Sequence, residues 1–277
     1  MKRILVIVAH PDDETFSVGG TIAKYVKAGS EVSLLCATKG EAGSSGGKSV
    51  QTGELAEIRT QELEAASKVL GISEVKFLEN QKDGKLKESN PGEIEDGIFK
   101  YMTQVLPDTV ITFDQTGISN HPDHIRMCFS TTYSFQEYVS WLESVYEEKG
   151  VQGRYEEAWL KKIEKMVEAY VEPKLYFACM PESIATYAKK AKIIPAESFG
   201  KPWNGTPDKK ITTVIDIHLF SAKKLEALRC HNSQVADVEK FVASEGNPLF
   251  DREYFILRMS GKEEVFMGKN DEVSDRL

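Results

Sequence analysis

Apolar positions along the chain fall into two periods. Arg3–Ala9 is apolar and β-branched with no polar alternation, the mark of a strand buried on both faces, and Val32–Thr38 repeats it. Between them, from about Ser17 to Ala28, Val18, Ile22, Tyr25 and Val26 recur at helical spacing until Gly29 stops them. A Gly- and Ser-rich loop, Gly40 to Gly53, precedes a helix over Glu54–Leu70 that ends at Gly71. Val75–Leu78 reads as a third strand, Asn90-Pro91 as the opening of a helix carrying Ile94, Ile98, Met102 and Val105, and Thr109–Phe113 as a fourth strand. Amphipathic helix then runs from roughly Phe129 to Val171, carrying Tyr133, Trp141, Leu142 and Val145, with Gly150 and Gly153 dividing it. Lys174–Cys179 and Thr212–Ile217 read as strands, Pro195 to Pro207 as a surface loop, and Leu219–Leu228 as the last helix.

Strand and helix alternate, which predicts an α/β protein with a mostly parallel sheet and helices on both faces. Ligands of such sheets bind beyond the carboxyl ends of the strands, where strand order reverses. No repeat or linker divides the sequence, so residues 1–277 are expected to form a single domain.

Composition narrows the picture. With 41% hydrophobic and 28% charged residues the sequence is globular rather than disordered. A formal charge of −8 opposes non-specific nucleic-acid binding. The four cysteines stand far apart with no CxxC pair, which suits neither a zinc knuckle nor a disulfide scaffold. The apolar start is too short for a signal peptide or membrane span, so a cytoplasmic protein is expected.

Candidate chemistry sits at two strand tips. The first strand runs into Ala9-His10-Pro11-Asp12-Asp13-Glu14, the fourth into Asp114 and then Asn120-His121-Pro122-Asp123-His124, and a strand order 3-2-1-4 makes these tips neighbours. Three of the chain's five histidines lie there. His10, Asp13 and His124 offer a divalent ion two imidazoles and a carboxylate, leaving a fourth tetrahedral position for water. His121 and His124 are three apart on one helical face, with Asn120 expected to cap that helix. One of the two need bind metal, and the other serves as proton donor or electrostatic stabiliser. Asp12 and Asp13 cannot project the same way, so one can hold the ion while the other faces water as general base. Each tip alone is ordinary turn chemistry; the pair at two buried parallel strands is not.

AHPDDE at 9–14, ITFD at 111–114 and HPDH at 121–124 resemble the LmbE-like (PIG-L) family of zinc-dependent deacetylases. The similarity spans roughly residues 3–130, with a weaker echo at 212–234 in ALRCHNSQ. The resemblance implies a Rossmann-like fold and an enzyme that removes the N-acetyl group from a GlcNAc-containing conjugate, a small amino-sugar molecule. It implies zinc (Zn2+), with Fe2+ as the alternative metal, on His10, Asp13 and His124. Asp12 would be the general base, and His121 the oxyanion stabiliser and acid, oriented by Asp123. Thr38–Gly43 resembles the family's TRGEAG loop, which brings Glu41 to the substrate, and Arg59 matches an arginine that contacts it. Lys39 and Ser119 depart from the family pattern, Ser119 standing where some members carry a tyrosine. The stretch at about 133–171 matches nothing in the family core and is expected to be a helical insertion, serving as a lid or as the contact of a homo-oligomer.

From the residues themselves, Trp203 in its Pro/Gly loop is a candidate for stacking on a sugar face, and Asp83 before Gly84 for bonding sugar hydroxyls. His231 reads as a rim or surface histidine, and His218 receives no role. Alternative activities are an amidase acting on a thiol conjugate or another acylated amine, an inactive sugar-binding relative, or a nucleotide hydrolase. The last rests on Ala42…Gly47-Lys48-Ser49, which matches a loose phosphate loop yet stands well after its strand.

Overall fold

A computed structural model describes residues 2–45, 51–147, 157–168, 171–242, 251–266 and 272–277. Gly47, Lys48 and Ser49 of the loose phosphate-loop match, and Gly150 and Gly153 of the expected helix break, lie outside the described residues.

The chain opens as expected with β1 (Arg3–Val8), α1 (Asp13–Lys27), β2 (Glu31–Cys36), α2 (Thr52–Leu70), β3 (Glu74–Phe77), α3 (Glu93–Val105) and β4 (Thr109–Phe113). A short turn of helix, α4 (Gly117–Asn120), leads to α5 (Pro122–Glu147) and α6 (Glu157–Glu168). Then come β5 (Lys174–Cys179), α7 (Glu182–Lys190), a hairpin of β6 (Glu197–Ser198) and β7 (Lys201–Pro202), β8 (Thr213–Asp216), α8 (Ser221–Leu228), α9 (Val235–Val242), β9 (Arg252–Ser260) and β10 (Glu263–Glu264).

Strands β3-β2-β1-β4-β5 are parallel in that spatial order, and β9 joins β5 antiparallel with β8 and β10 on its far side. Strand order reverses beside β1, whose neighbours are β2 and β4, so the carboxyl tips of β1 and β4 meet. Helices α1, α2 and α8 pack together, and α3 packs on α5. The core is the apolar run of β1, β2, β4 and β5 with Ile22, Leu63, Ile98, Phe135 and Tyr138 from the helices.

Three differences from the sequence reading have physical causes. Helix α1 starts at Asp13 rather than near Ser17, because its first turn buries polar Asp13, Glu14 and Thr15 and therefore shows no apolar stripe. The stretch read as an insertion begins inside α5, where Phe135, Tyr138, Val139 and Leu142 are buried and the Tyr138 hydroxyl donates to the Pro107 carbonyl at 3.0 Å. Residues 133–147 thus belong to the helical layer. The expected final helix is α8, and α9 and β9 follow it. Cys36, Cys128 and Cys179 are buried thiols and Cys230 is half-buried.

Helices α3 and α5 are also joined by charge. Glu95 Oε1 accepts the Ser130 hydroxyl at 2.6 Å and stands 2.8 Å from Arg126 Nη1. Burial alone would raise this carboxyl, but the Ser130 bond and the Arg126 guanidinium outweigh it and hold it below its ordinary 4.5. A depressed carboxyl stabilises the fold above the unfolded-state pKa and ceases to do so as pH falls through the folded-state one. Glu95→Gln is therefore expected to be about 1–2 kcal/mol less stable than wild type at pH 7. Urea melts at descending pH should show the two proteins converging below pH 4.5; a constant gap would contradict this origin.

Candidate metal centre and its surroundings

The β1 tip is tightly wound. Asp13 Oδ2 accepts the His10 amide at 2.7 Å, turning the His10 and Asp13 side chains toward each other. The β4 tip turns through Gly117, whose positive φ of 63° and close approach to His124 (2.8 Å from an added Cβ to the His124 Cβ) leave no room for a side chain. The Gly117 carbonyl accepts His124 Nδ1 at 3.1 Å. A carbonyl only accepts, so Nδ1 carries the proton and Nε2 presents its lone pair.

Three donors converge between the tips. His10 Nδ1 lies 3.4 Å from Asp13 Oδ2, His124 Nε2 lies 3.2 Å from Asp13 Oδ1, and the two ring nitrogens are 3.3 Å apart. Ligands on a tetrahedral zinc at bond lengths of about 2.0–2.1 Å stand about 3.3 Å from one another. The two ring nitrogens match that spacing, Asp13 offers a different carboxylate oxygen to each of them, and the group fits a divalent ion in its mixture of imidazole and carboxylate and in burial. A His121 ring nitrogen also lies within 4.8 Å of the His10 and His124 nitrogens. His121 Nδ1 accepts the Asp123 amide at 3.1 Å.

Behind the ligands stands a second set of bonds. His10 Nε2 faces Asp83 Oδ1 at 2.9 Å and Asp123 Oδ2 at 3.3 Å, an arrangement that fixes the tautomer of a metal-binding histidine. Burial pushes the His10 imidazole down, yet Asp123, Asp13 and Asp83 outweigh it and hold the ring well above its ordinary range. The same exchange runs the other way for Asp13, where burial is overcome by His124 and His10 and the carboxyl lies well below the usual range.

Asp12, beside the donors, has φ 109° and ψ −28°, a strained backbone for a residue with a Cβ. Its Oδ2 lies 3.1 Å from Arg59 Nη2. Burial raises its carboxyl more than Arg59 lowers it, and with the adjacent Asp13 charge it rises to about 7. His121 stacks on His124 at 4.7 Å and meets His10 edge-on at 4.8 Å. Burial, followed by the His124 and His10 charges, lowers it to about 4. With Nδ1 accepting from Asp123, neutral His121 keeps its proton on Nε2.

Several expected partners are rearranged. Asp123 was expected to orient His121; its carboxylate instead serves His10 and accepts the amides of Gly84 (2.7 Å) and Leu86 (3.3 Å), while its backbone N–H orients His121. The reason is Pro122 at the first helical position, which makes His121 the capping residue. Asn120, the expected cap, has φ 62° and donates from Nδ2 to the Pro202 carbonyl at 3.2 Å, tying down the β6–β7 hairpin. At the tip of that hairpin, Phe199 meets the His121 ring edge-on at 4.5 Å, a contact nothing in the Pro/Gly loop announced.

Asp83, expected at sugar hydroxyls, spends one oxygen on His10 and the other on the Ala42 amide at 3.0 Å. Arg59 is buried and donates to the carbonyls of Gly40 (2.8 Å) and Pro11 (2.6 Å) as well as to Asp12. A Cβ on Gly43 would stand 2.3 Å from its Nη1, which accounts for the glycines of the GEAG loop. Glu41 accepts the Asp83 amide through Oε1 at 3.0 Å; its Oε2 and Trp203 Nε1 are buried with no hydrogen-bond partner among the described residues. Trp203 lines a cavity of about 810 Å3 with Asp12, Asp13 and His124 from the strand tips and Lys189, Lys192, Lys240 and Phe241 from later segments. His231, expected at a rim or surface, is wholly buried against Glu14. Among the described residues no helix is long and apolar enough to cross a membrane.

The chain is similar to known proteins in sequence and in fold. The 1D-myo-inositol 2-acetamido-2-deoxy-alpha-D-glucopyranoside deacetylase of Rhodococcus erythropolis is 27% identical over 92% of this chain and 90% of its own length. The enzyme of the same name from Salinispora arenicola is 26% identical over 94% and 86%. Among solved structures, N,N'-diacetylchitobiose deacetylase from Pyrococcus horikoshii superposes with a TM-score of 0.60 at 23% identity, covering 94% of this chain and 84% of its own. The 4-carboxy-2-hydroxymuconate hydratase GalB from Pseudomonas putida superposes with a TM-score of 0.62 at 17% identity, over 96% and 100%. At those identities the structures speak for the fold alone, and the hydratase illustrates that one fold hosts more than one chemistry. The family described as PIG-L, GlcNAc-PI de-N-acetylase, matches residues 5–135, the segment that carries both strand tips. Residues 5–135 of this chain are a PIG-L (LmbE-like) family domain.

Proposed function

We propose that the chain is a metal-dependent hydrolase that removes the N-acetyl group from a GlcNAc-containing conjugate, with zinc on His10, Asp13 and His124. One observation carries the reading: at the switch point of the sheet His10 Nδ1 and His124 Nε2 stand 3.3 Å apart, each within 3.4 Å of an Asp13 carboxylate oxygen, with a carboxylate raised to about 7 beside them. Curated relatives matched over nine-tenths of the chain bear the name of such a deacetylase. A divalent ion bound there supplies Lewis acidity and a water acidic enough to lose its proton near neutrality, its pKa falling from about 15.7 to about 7.

The chain's own residues do the rest. Asp12 accepts a proton from the water that attacks the acetyl carbonyl, its pKa matched to neutral pH. His121 donates its Nε2 proton as a hydrogen bond to the oxyanion of the tetrahedral intermediate. As that intermediate collapses, the C–N bond breaks, acetate forms, and the amine leaves with the proton Asp12 took up. The low pKa of His121 favours its role as hydrogen-bond donor over that of acid. Trp203, which lines the cavity beside Asp12 and whose indole N–H has no partner among the described residues, is the sugar-binding residue this reading favours, whereas Glu41 lines a separate cavity with Thr38 and Lys39. Arg59 and Asp83 act on Asp12 and His10 rather than on substrate.

Acetate and free amine released from a panel of GlcNAc conjugates provide the test. Chelation is expected to abolish release, and zinc or ferrous iron to restore it. Undiminished release by metal-free protein would overturn the reading.

A further inference from the structure

His231 has no place in the hydrolytic steps above, yet it is wholly buried in the turn after α8. Its Nε2 lies 3.2 Å from Glu14 Oε1, and its Nδ1 has no hydrogen-bond partner among the described residues. Glu14 is also wholly buried, and its other oxygen, Oε2, accepts the Asp12 amide at 3.1 Å.

Asp12 needs such a tie. Its φ of 109° is costly, and such a conformation persists only where neighbours over-determine it. Its carbonyl accepts the Thr15 and Phe16 amides at 3.0 Å each, and Arg59 holds its carboxylate, leaving Glu14 to hold its N–H. Thr15 and Arg59 belong to α1 and α2, and the Thr15 hydroxyl also donates to Glu14 Oε1; among these ties the one through Glu14 is further secured by His231 from the distant segment 231–234. That segment is itself clamped, with the Ser233 amide and hydroxyl both on Glu62 at 2.7 Å and Gln234 Nε2 on the Ser44 carbonyl at 2.7 Å.

We propose that His231 is a positioning residue for Asp12, acting through Glu14. By fixing Oε1 of Glu14 it fixes Oε2 on the Asp12 amide, and so sets the direction in which the Asp12 carboxylate meets the attacking water. This inference rests on Asp12 being the base. A misplacement of about 1 Å in a reacting group costs about 10²-fold in rate, which is the scale of effect expected.

Kinetics of the full-length, zinc-loaded protein on a GlcNAc conjugate that the wild type hydrolyses test it. His231→Asn, too short to reach Glu14, is expected to lower kcat about 10²-fold with KM and bound zinc unchanged. His231→Gln, which restores a donor at that reach, is expected to recover most of the loss. In a double-mutant cycle with Glu14→Gln, the pair should lose no more than the worse single variant, since both break one path. If His231→Asn does not fold, His231→Leu takes its place in the cycle. Wild-type kcat in the variant, no relief by Gln, additive losses in the cycle, or a loss that merely tracks missing zinc each overturns the inference. Asp12→Ala separates the two readings. If it retains turnover, the base assignment fails; if it is inactive while His231→Asn keeps full kcat, only the role of His231 fails.

Discussion

Asp12→Ala is expected to lower kcat about 10²–10⁴-fold, the usual contribution of a general base, while the protein still binds one equivalent of metal. The two halves of the expectation come from different atoms. In the proposed reading His10, Asp13 and His124 supply the ligand set, and Asp12 contributes no atom to their contacts of 3.2–3.4 Å. Removing its carboxylate takes away the proton acceptor and leaves Arg59 with the Gly40 and Pro11 carbonyls still to bond. Steady-state kinetics with metal analysis of the same preparation check both halves. A variant that loses metal in step with activity would place Asp12 in the ligand shell, and one with near-wild-type turnover would remove it from the mechanism. Metal analysis of His124→Ala gives the contrast, since that change deletes a donor.

The largest effect on stability is expected far from the chemistry. Lys224 Nζ lies 2.7 Å from Glu253 Oε1 with both side chains almost fully buried, and Glu253 also accepts the amides of Gly20 (3.0 Å) and Thr21 (2.7 Å) on α1. Glu253→Leu leaves a buried ammonium without its carboxylate and two amides without their acceptor. Breaking one side of such a pair costs roughly 3–5 kcal/mol, which at 2–4 °C per kcal/mol for a chain of this size lowers Tm by about 10 °C. Replacing both partners, as in Glu253→Leu with Lys224→Met, removes the buried ammonium together with its Glu253 carboxylate and should recover a good part of the loss. Calorimetry on the single and double variants decides: a single variant as stable as wild type would deny the pair its structural role.

Legibility of the fold in the sequence followed polarity. Strand β1 was readable because its residues are apolar throughout, and the neighbouring β1 and β4 tips followed from strand alternation. Strand β9 escaped because one of its buried positions is the charged Glu253, which breaks the alternation that Phe255 and Met259 would otherwise show. The start of α1 escaped for a related reason, since its buried face there consists of Asp13, Glu14 and Thr15.

In the site, the ligand candidates could be named from residue type and strand position, but the contacts behind them could not. Asp123 meets His10 across 113 residues of chain and Gly84 across 39, and no local periodicity records contacts made at such separations. One signal was there to be used: Arg59 and Glu62 share the inner face of α2 with Leu55, Leu63 and Ala66, so two charges on an apolar stripe pointed to buried partners.

The cavity walls have separate origins in the chain. Asp12, Asp13 and His124 come from the two strand tips, whereas Lys189, Lys192, Trp203, Lys240 and Phe241 arrive from segments laid down after β5. Evolution can therefore rebuild one wall of the cavity by exchanging residues 189–203 and 237–241, with no change to the two strand tips. One hydrolytic core can in this way serve a series of unrelated conjugates.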